Sequence, residues 1–145
     1  VEIDGETGVT TVANFTAVDD FGNVINPMIV EGQVHGGITQ GIGQALIEGC
    51  VYDKESGQLV TGSYMDYQMP RAADLPSFKL AFNEVPTKAN PLGAKGVAES
   101  PHVGSIPCFT NAMVDAFAHL GVTHMTMPHT AWRVWQQLKA CGITK

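Results

Sequence analysis

Apolar residues recur every fourth position from Val30 through Val34, Ile38, Ile42 and Leu46, a spacing that lays one apolar face along a helix starting near Pro27 and ending near Gly49. Ahead of it, Val1–Ile3 and Thr10–Val18 are β-rich runs, and the turn-forming Asp4-Gly5-Glu6-Thr7-Gly8 between them predicts an antiparallel hairpin. Asp19 to Asn23 closes the second run. Phe78, Leu80 and Phe82 alternate with Lys79, Ala81 and Asn83, the period of a half-buried strand. Ile106, Phe109, Met113, Phe117 and Leu120 mark a second amphipathic helix that Gly121 can end. Thr130 can cap a last helix with Trp132, Trp135 and Leu138 toward the core. Tyr52–Gln58 reads as a polar turn and Pro70–Pro76 as a loop. The pattern predicts one α+β domain over residues 1–145, a mixed sheet with packed helices.

The first helix carries Gly32, Gly36, Gly37, Gly41 and Gly43, each costing about 1 kcal/mol against alanine in a helix interior. Two readings explain them: close approach by a ligand or another backbone, or dense packing of the helix on a sheet, which needs small residues too.

Net charge is −6 with no Lys/Arg stripe, which argues against a nucleic-acid surface. No apolar run approaches the ~20 residues of a membrane span, and no signal peptide is visible. Cys50, Cys108 and Cys141 are odd in number and far apart, which fits free thiols in a reducing, cytoplasmic compartment. They lack zinc or iron–sulfur spacing, and His124 and His129 are separated by Pro128, so no metal held by side chains is expected. The chain begins at Val1 rather than Met, which suggests a fragment or a processed chain.

The chemistry concentrates in Pro91-Leu92-Gly93-Ala94-Lys95-Gly96-Val97-Ala98-Glu99-Ser100-Pro101. Small residues let backbone N–H groups approach a large anionic ligand, Lys95 adds positive charge, and Glu99 offers a carboxylate base. A solvated Gly/Pro turn with an incidental Glu is the plain alternative. A P-loop is excluded, because no Ser or Thr follows Lys95 and the upstream glycine spacing is absent.

Together with Gly32-Gln33-Val34-His35-Gly36-Gly37 through Leu46 and with Asp66-Tyr67-Gln68-Met69-Pro70, this stretch resembles one family over nearly the whole chain. That family is the molybdopterin-binding large subunit of xanthine dehydrogenase, aldehyde oxidoreductase and carbon monoxide dehydrogenase, and the likeness is to its C-terminal part. The resemblance implies a molybdenum hydroxylase that oxidises an aldehyde, an N-heterocycle or carbon monoxide with oxygen from water. Its metal is held by the pterin dithiolene rather than by side chains.

In the family's G-x-K-G-x-G-E pattern the glutamate is the general base, and Glu99 matches it. Gln33 matches a cofactor-contacting glutamine, and the backbone of Lys95, Gly96, Val97 and Ala98 would line the cofactor. His35 and Gln40 are weaker candidates. Ala98 stands where the family has glycine, and a positive φ there would strain the loop by about 1 kcal/mol. The tract Tyr64–Pro76 could contribute to a substrate funnel.

The resemblance also implies molybdenum–molybdopterin, in its cytosine dinucleotide form if the source is bacterial. The expected partners are the remainder of the large subunit and iron–sulfur and FAD subunits or domains, in an oligomeric complex acting on a small-molecule substrate. By itself the chain would then be inactive and prone to self-association. A noncatalytic scaffold that keeps the fold without the cofactor is the reading from another class.

Overall fold

The structure is a computed structural model and describes Val1–Thr144; Lys145, the last residue of the expected domain, lies outside the described residues. Strand β1 (Glu2–Ile3) pairs antiparallel with β2 (Thr10–Thr11), Glu2 opposite Thr11 and Ile3 opposite Thr10. Asp4 closes this hairpin: its Oδ1 accepts from the N–H groups of Glu6 (2.8 Å) and Thr7 (3.1 Å).

The expected strand Thr10–Val18 is two strands. Val12 turns into the core while Ala13 and Asn14 stay exposed, and the chain crosses to a second sheet as β3 (Thr16–Asp19). There it pairs in parallel with β4 (Lys79–Phe82), Thr16 opposite Lys79 and Asp19 opposite Phe82. The architecture is α+β, with the strands divided between an antiparallel and a parallel pair.

Helix α1 (Pro27–Ile42) starts at Asn26, whose Oδ1 accepts from Ile29 N–H at 3.2 Å, with Pro27 supplying a preset φ at the first turn. It continues as a π-helical turn over Gly43–Ile47. A Cβ on Gly43 would lie 2.2 Å from Glu48 Oε1, so glycine is what allows that carboxylate to fold back. Glu48 Oε2 in turn accepts from Tyr67 Oη at 2.5 Å, which ties the Tyr64–Pro70 tract to the end of the helix. That bond, with some desolvation, pushes the Tyr67 hydroxyl up to about 12.

Helix α2 (Ser100–Phe117) begins six residues before the first apolar position of its stripe, because Pro101 is compatible with a helix start. A 3₁₀ turn (Ala118–Leu120) follows, and Gly121 ends it at φ +80°. Helix α3 (Ala131–Ala140) begins at Thr130, whose side chain makes no capping bond.

Val34, Ile38, Ile42, Ala45 and Leu46 pack with Phe109, Met113 and Phe117 of α2 and with Val134 and Leu138 of α3. Phe15 joins the parallel pair to this core through Phe109, 5.1 Å between ring centroids. Trp132 departs from the expected stripe. It is 63% exposed and stacks on Trp135 at 5.3 Å, because the i, i+4 pair Val134 and Leu138 already fills the buried face.

His129 is buried in this core. Its N–H donates to Ala45 O at 2.7 Å, its Nε2 lies 3.3 Å from Thr110 Oγ1, and its Nδ1 has no partner. Burial first, then the Arg133 and His124 charges, pushes its pKa below the usual 6.5. The unfolded chain therefore takes up a proton before the folded one, so the stability linked to His129 is full above pH 6.5 and is lost as pH falls below it. The urea midpoint should fall between pH 7.5 and 5, and less steeply in His129→Gln. Equal slopes would show that other groups carry the acid sensitivity.

Candidate functional site

Helices α1 and α2 pack in parallel register where Gly37 and Gly41 of α1 meet Pro101 and Ser105 of α2. A Cβ on Gly37 would lie 2.9 Å from Pro101 Cβ, and one on Gly41 would lie 1.9 Å from Ser105 Oγ. Gln33 lies one turn before Gly37 and is exposed on α1. The close neighbour at Gly37 and Gly41 is α2 rather than a sheet. Gly37 and Gly41 are small so that the helices can pack, whereas Gly32 and Gly36 have nothing within 4 Å of a Cβ and lie open beside Gln33.

Residues 92–95 are clamped to residues 21–23, just beyond β3. Lys95 N–H donates to Phe21 O (2.8 Å), Asn23 N–H to Gly93 O (3.1 Å), and Asn23 Nδ2 to Leu92 O (2.8 Å). Gly22 and Gly93, at φ +63° and +67°, permit this contact; a Cβ on Gly22 would lie 2.1 Å from Gly93 O. The Lys95 ammonium pairs with Asp20 Oδ2, while Asp20 Oδ1 accepts from Gly22 N–H (2.8 Å) and Val85 N–H (3.1 Å). The Lys95 bond first, then those from Gly22 and Val85, holds the Asp20 carboxyl down to about 2.

Beyond Lys95 the backbone is unclaimed. Among the described residues, the N–H groups of Gly96, Val97, Ala98 and Glu99 find no backbone acceptor. Val97 packs its side chain against the core while Gly96, Ala98 and Glu99 stay exposed, and a Cβ on Gly96 would meet nothing within 4 Å. No non-glycine residue among those described has positive φ, so Ala98 sits there without the strain its Cβ raised as an expectation.

Glu99 is the N-cap residue of α2. Its carbonyl accepts from Val103 N–H at 3.0 Å, and its side chain makes no capping bond, which leaves the carboxylate free at the positive end of the helix.

The loop thus has a fixed end at Lys95 and a donor-rich, open end from Gly96 to Glu99. Of Lys95, the ammonium is turned to Asp20 and the N–H is bonded to Phe21 O, while its carbonyl accepts from no backbone N–H among the described residues. His35 rests edge-on against Phe78 at 5.3 Å, and Gln33 and Gln40 are exposed on α1. Among the described residues no three His, Cys, Asp or Glu side chains come together as metal ligands, and the three cysteines are free. Cavities of about 440 and 470 Å³ meet at His129, and the Glu99 loop lines neither. Asp20 is the site residue the linear pattern did not flag: its partner lies 75 residues away, and Asp19-Asp20 read only as the end of a strand.

A family profile described as the molybdopterin cofactor-binding domain matches residues 1–76, just over half of the chain. The chain belongs to that family. The chain is 53% identical over 139 residues to the carbon monoxide dehydrogenase large chain of Hydrogenophaga pseudoflava, covering 96% of this chain and 17% of that protein. The crystal structure of a Cu,Mo-containing CO dehydrogenase superposes with a TM-score of 0.93 at 46% identity, covering 97% of this chain and 18% of that one. Quinoline 2-oxidoreductase from Pseudomonas putida 86 superposes at 0.89 with 44% identity, covering 94% and 17%.

The relatives are thus a carbon monoxide dehydrogenase large chain, a Cu,Mo-containing CO dehydrogenase and a quinoline 2-oxidoreductase, and this chain spans under a fifth of the length of each of these three. No helix among the described residues is long and apolar enough to cross a membrane.

Proposed function

We propose that residues 1–145 form the C-terminal cofactor-binding and catalytic-base segment of a molybdenum hydroxylase large subunit. The observation that carries this reading is the run of unpartnered N–H groups from Gly96 to Glu99, opening onto a helix N-terminus that ends in a free carboxylate. These residues fit a bulky, phosphate-bearing group such as molybdopterin. The N–H groups and the helix dipole supply positive potential, and the open space at Gly36 and Gly96 is what a side chain there would fill. When bound, molybdenum–molybdopterin supplies two-electron redox chemistry and an activated oxygen derived from water.

The chain's own residues then divide the work. Backbone N–H groups of Gly96, Val97 and Ala98, with the Lys95 carbonyl, hold the group against the loop. Gln33 offers a carboxamide from the facing turn of α1, and Glu99 accepts the proton on a carboxylate oxygen. Since Glu99 is exposed here, the rest of the large subunit must cover this face to exclude water during turnover.

The same reading expects the cytosine dinucleotide form of the cofactor, iron–sulfur and FAD partners that carry electrons onward, and a cytoplasmic complex. It also expects the isolated chain to be inactive. The Tyr64–Pro76 tract, with Tyr64 80% and Met65 93% exposed, contributes to the substrate approach. Carbon monoxide has the support of the 53% and 46% identities and an N-heterocycle that of the 44% identity, so substrate assays of the assembled enzyme start with these two, followed by aldehydes.

Gln33→Ala tests the cofactor role. Losing one hydrogen bond to the bound group costs about 1–3 kcal/mol, so molybdenum and pterin content in the assembled enzyme should drop while the melting temperature holds. Unchanged cofactor content with a lowered melting temperature would make Gln33 a structural residue.

A further inference from the structure

The Glu99 loop is not held in place by its own sequence. Between Lys95 and Ser100 none of its N–H groups reaches a backbone acceptor, and its two ends are set by different devices. At one end α2 fixes Ser100 through the packing of Pro101 on Gly37. At the other, Lys95 N–H is bonded to Phe21 O, and one carboxylate gathers three segments: Asp20 accepts from Gly22 N–H just beyond β3, from Val85 N–H beyond β4, and from the Lys95 ammonium at the start of the loop.

We infer that Asp20, acting through Lys95, is a positioning residue that sets where the Gly96–Glu99 run begins and therefore where its donors and its carboxylate stand. The inference rests on the proposed role of that run as cofactor cradle and base.

Three features separate this role from simple bracing. Both side chains are about one-third exposed, and an ion pair that open to solvent adds little to folding stability. The Lys95 ammonium, which a ligand-facing reading would aim at the cofactor, is instead turned back to Asp20. And every hydrogen bond of the Asp20 carboxylate goes to main-chain N–H or to Lys95. Only three rotatable residues separate Lys95 from Glu99. Releasing the pair leaves Lys95 held at this end by its N–H bond to Phe21 O alone, and a misplacement of about 1 Å at a reacting group costs up to ~100-fold in rate.

The test uses the assembled enzyme with Asp20→Asn, Lys95→Met and Lys95→Arg. Asparagine keeps an oxygen for Gly22 and Val85 and removes the charge facing Lys95; arginine keeps the pair. The expected result is a fall of ~10- to 100-fold in kcat per bound molybdenum for Asp20→Asn and Lys95→Met, with KM and melting temperature near wild type. Pterin content should fall severalfold in both and return with Lys95→Arg. Unchanged pterin content and kcat per molybdenum, or an Arg variant as impaired as the Met variant, would overturn the role.

Glu99→Gln, measured in parallel, keeps the two readings apart. Full turnover there beside impaired pterin retention in Asp20→Asn would retire Glu99 as the base and retain Asp20 as the anchor of the cradle.

Discussion

Glu99→Gln in the assembled enzyme should lower turnover by ~100-fold or more while molybdenum and pterin content stay at the wild-type level, the lower end of what a positioned general base contributes. The substitution is close to isosteric, and the helix does not depend on the group it removes. The α2 start is held by the Glu99 carbonyl accepting from Val103, and the side chain makes no capping bond. A stability change therefore cannot account for lost activity. What glutamine lacks is a lone pair basic enough to take the proton. Near-normal turnover, measured with single-turnover reduction to separate chemistry from electron exit, would remove Glu99 from the base role.

The second large effect lies in the helix crossing. Gly41→Val should destabilise the fold by about 3 kcal/mol, the upper part of the range for overpacking a close contact. Even one added carbon would sit 1.9 Å from Ser105 Oγ and 2.9 Å from Ser105 Cβ, and Ser105 is buried. The two helices must separate or Ser105 must leave its bond to His102 O. Gly36→Ala, on the same helix with nothing within 4 Å, should instead stabilise by up to ~1 kcal/mol through helix propensity. Urea midpoints of the two variants measured together decide the matter. A destabilised Gly36→Ala, or a neutral Gly41→Val, would refute the division of the glycines into packing and open positions.

That division marks a limit on reading the chain linearly. Gly32, Gly36, Gly37 and Gly41 look alike in sequence, and a four-residue period predicts only that they share a helix. Their separate functions depend on which of them α2 covers, and α2 lies some sixty residues further along. Trp132 shows the same limit from the other side. Its position fits an apolar stripe, yet Val134 and Leu138 had already taken the buried face, and the indole found its contact on Trp135 at the surface.

Local rules carried the elements whose causes are local: the Asp4–Gly8 turn and its hairpin, the Asn26-Pro27 start of α1, the alternation of β4 and the αL stop at Gly121. Each depends on a steric or hydrogen-bonding preference of residues within a few positions of one another, so sequence alone determined them. The family resemblance rested on the same kind of signal, the stretches Gly32–Leu46 and Asp66–Pro70 with the small-residue run ending in Glu99, and the profile matching residues 1–76 bears out the family.

Tertiary structure alone decided the parallel pairing of β3 with β4, the break at Val12, and the clamp of residues 92–95 onto 21–23. It also decided that Lys95 serves Asp20, and that the N–H groups from Gly96 to Glu99 remain free. The physical reason is common to all of them. A backbone donor or an ammonium has no preferred partner in the linear chain, and which acceptor it meets is settled only when the burial of an apolar core brings distant segments to within 3 Å.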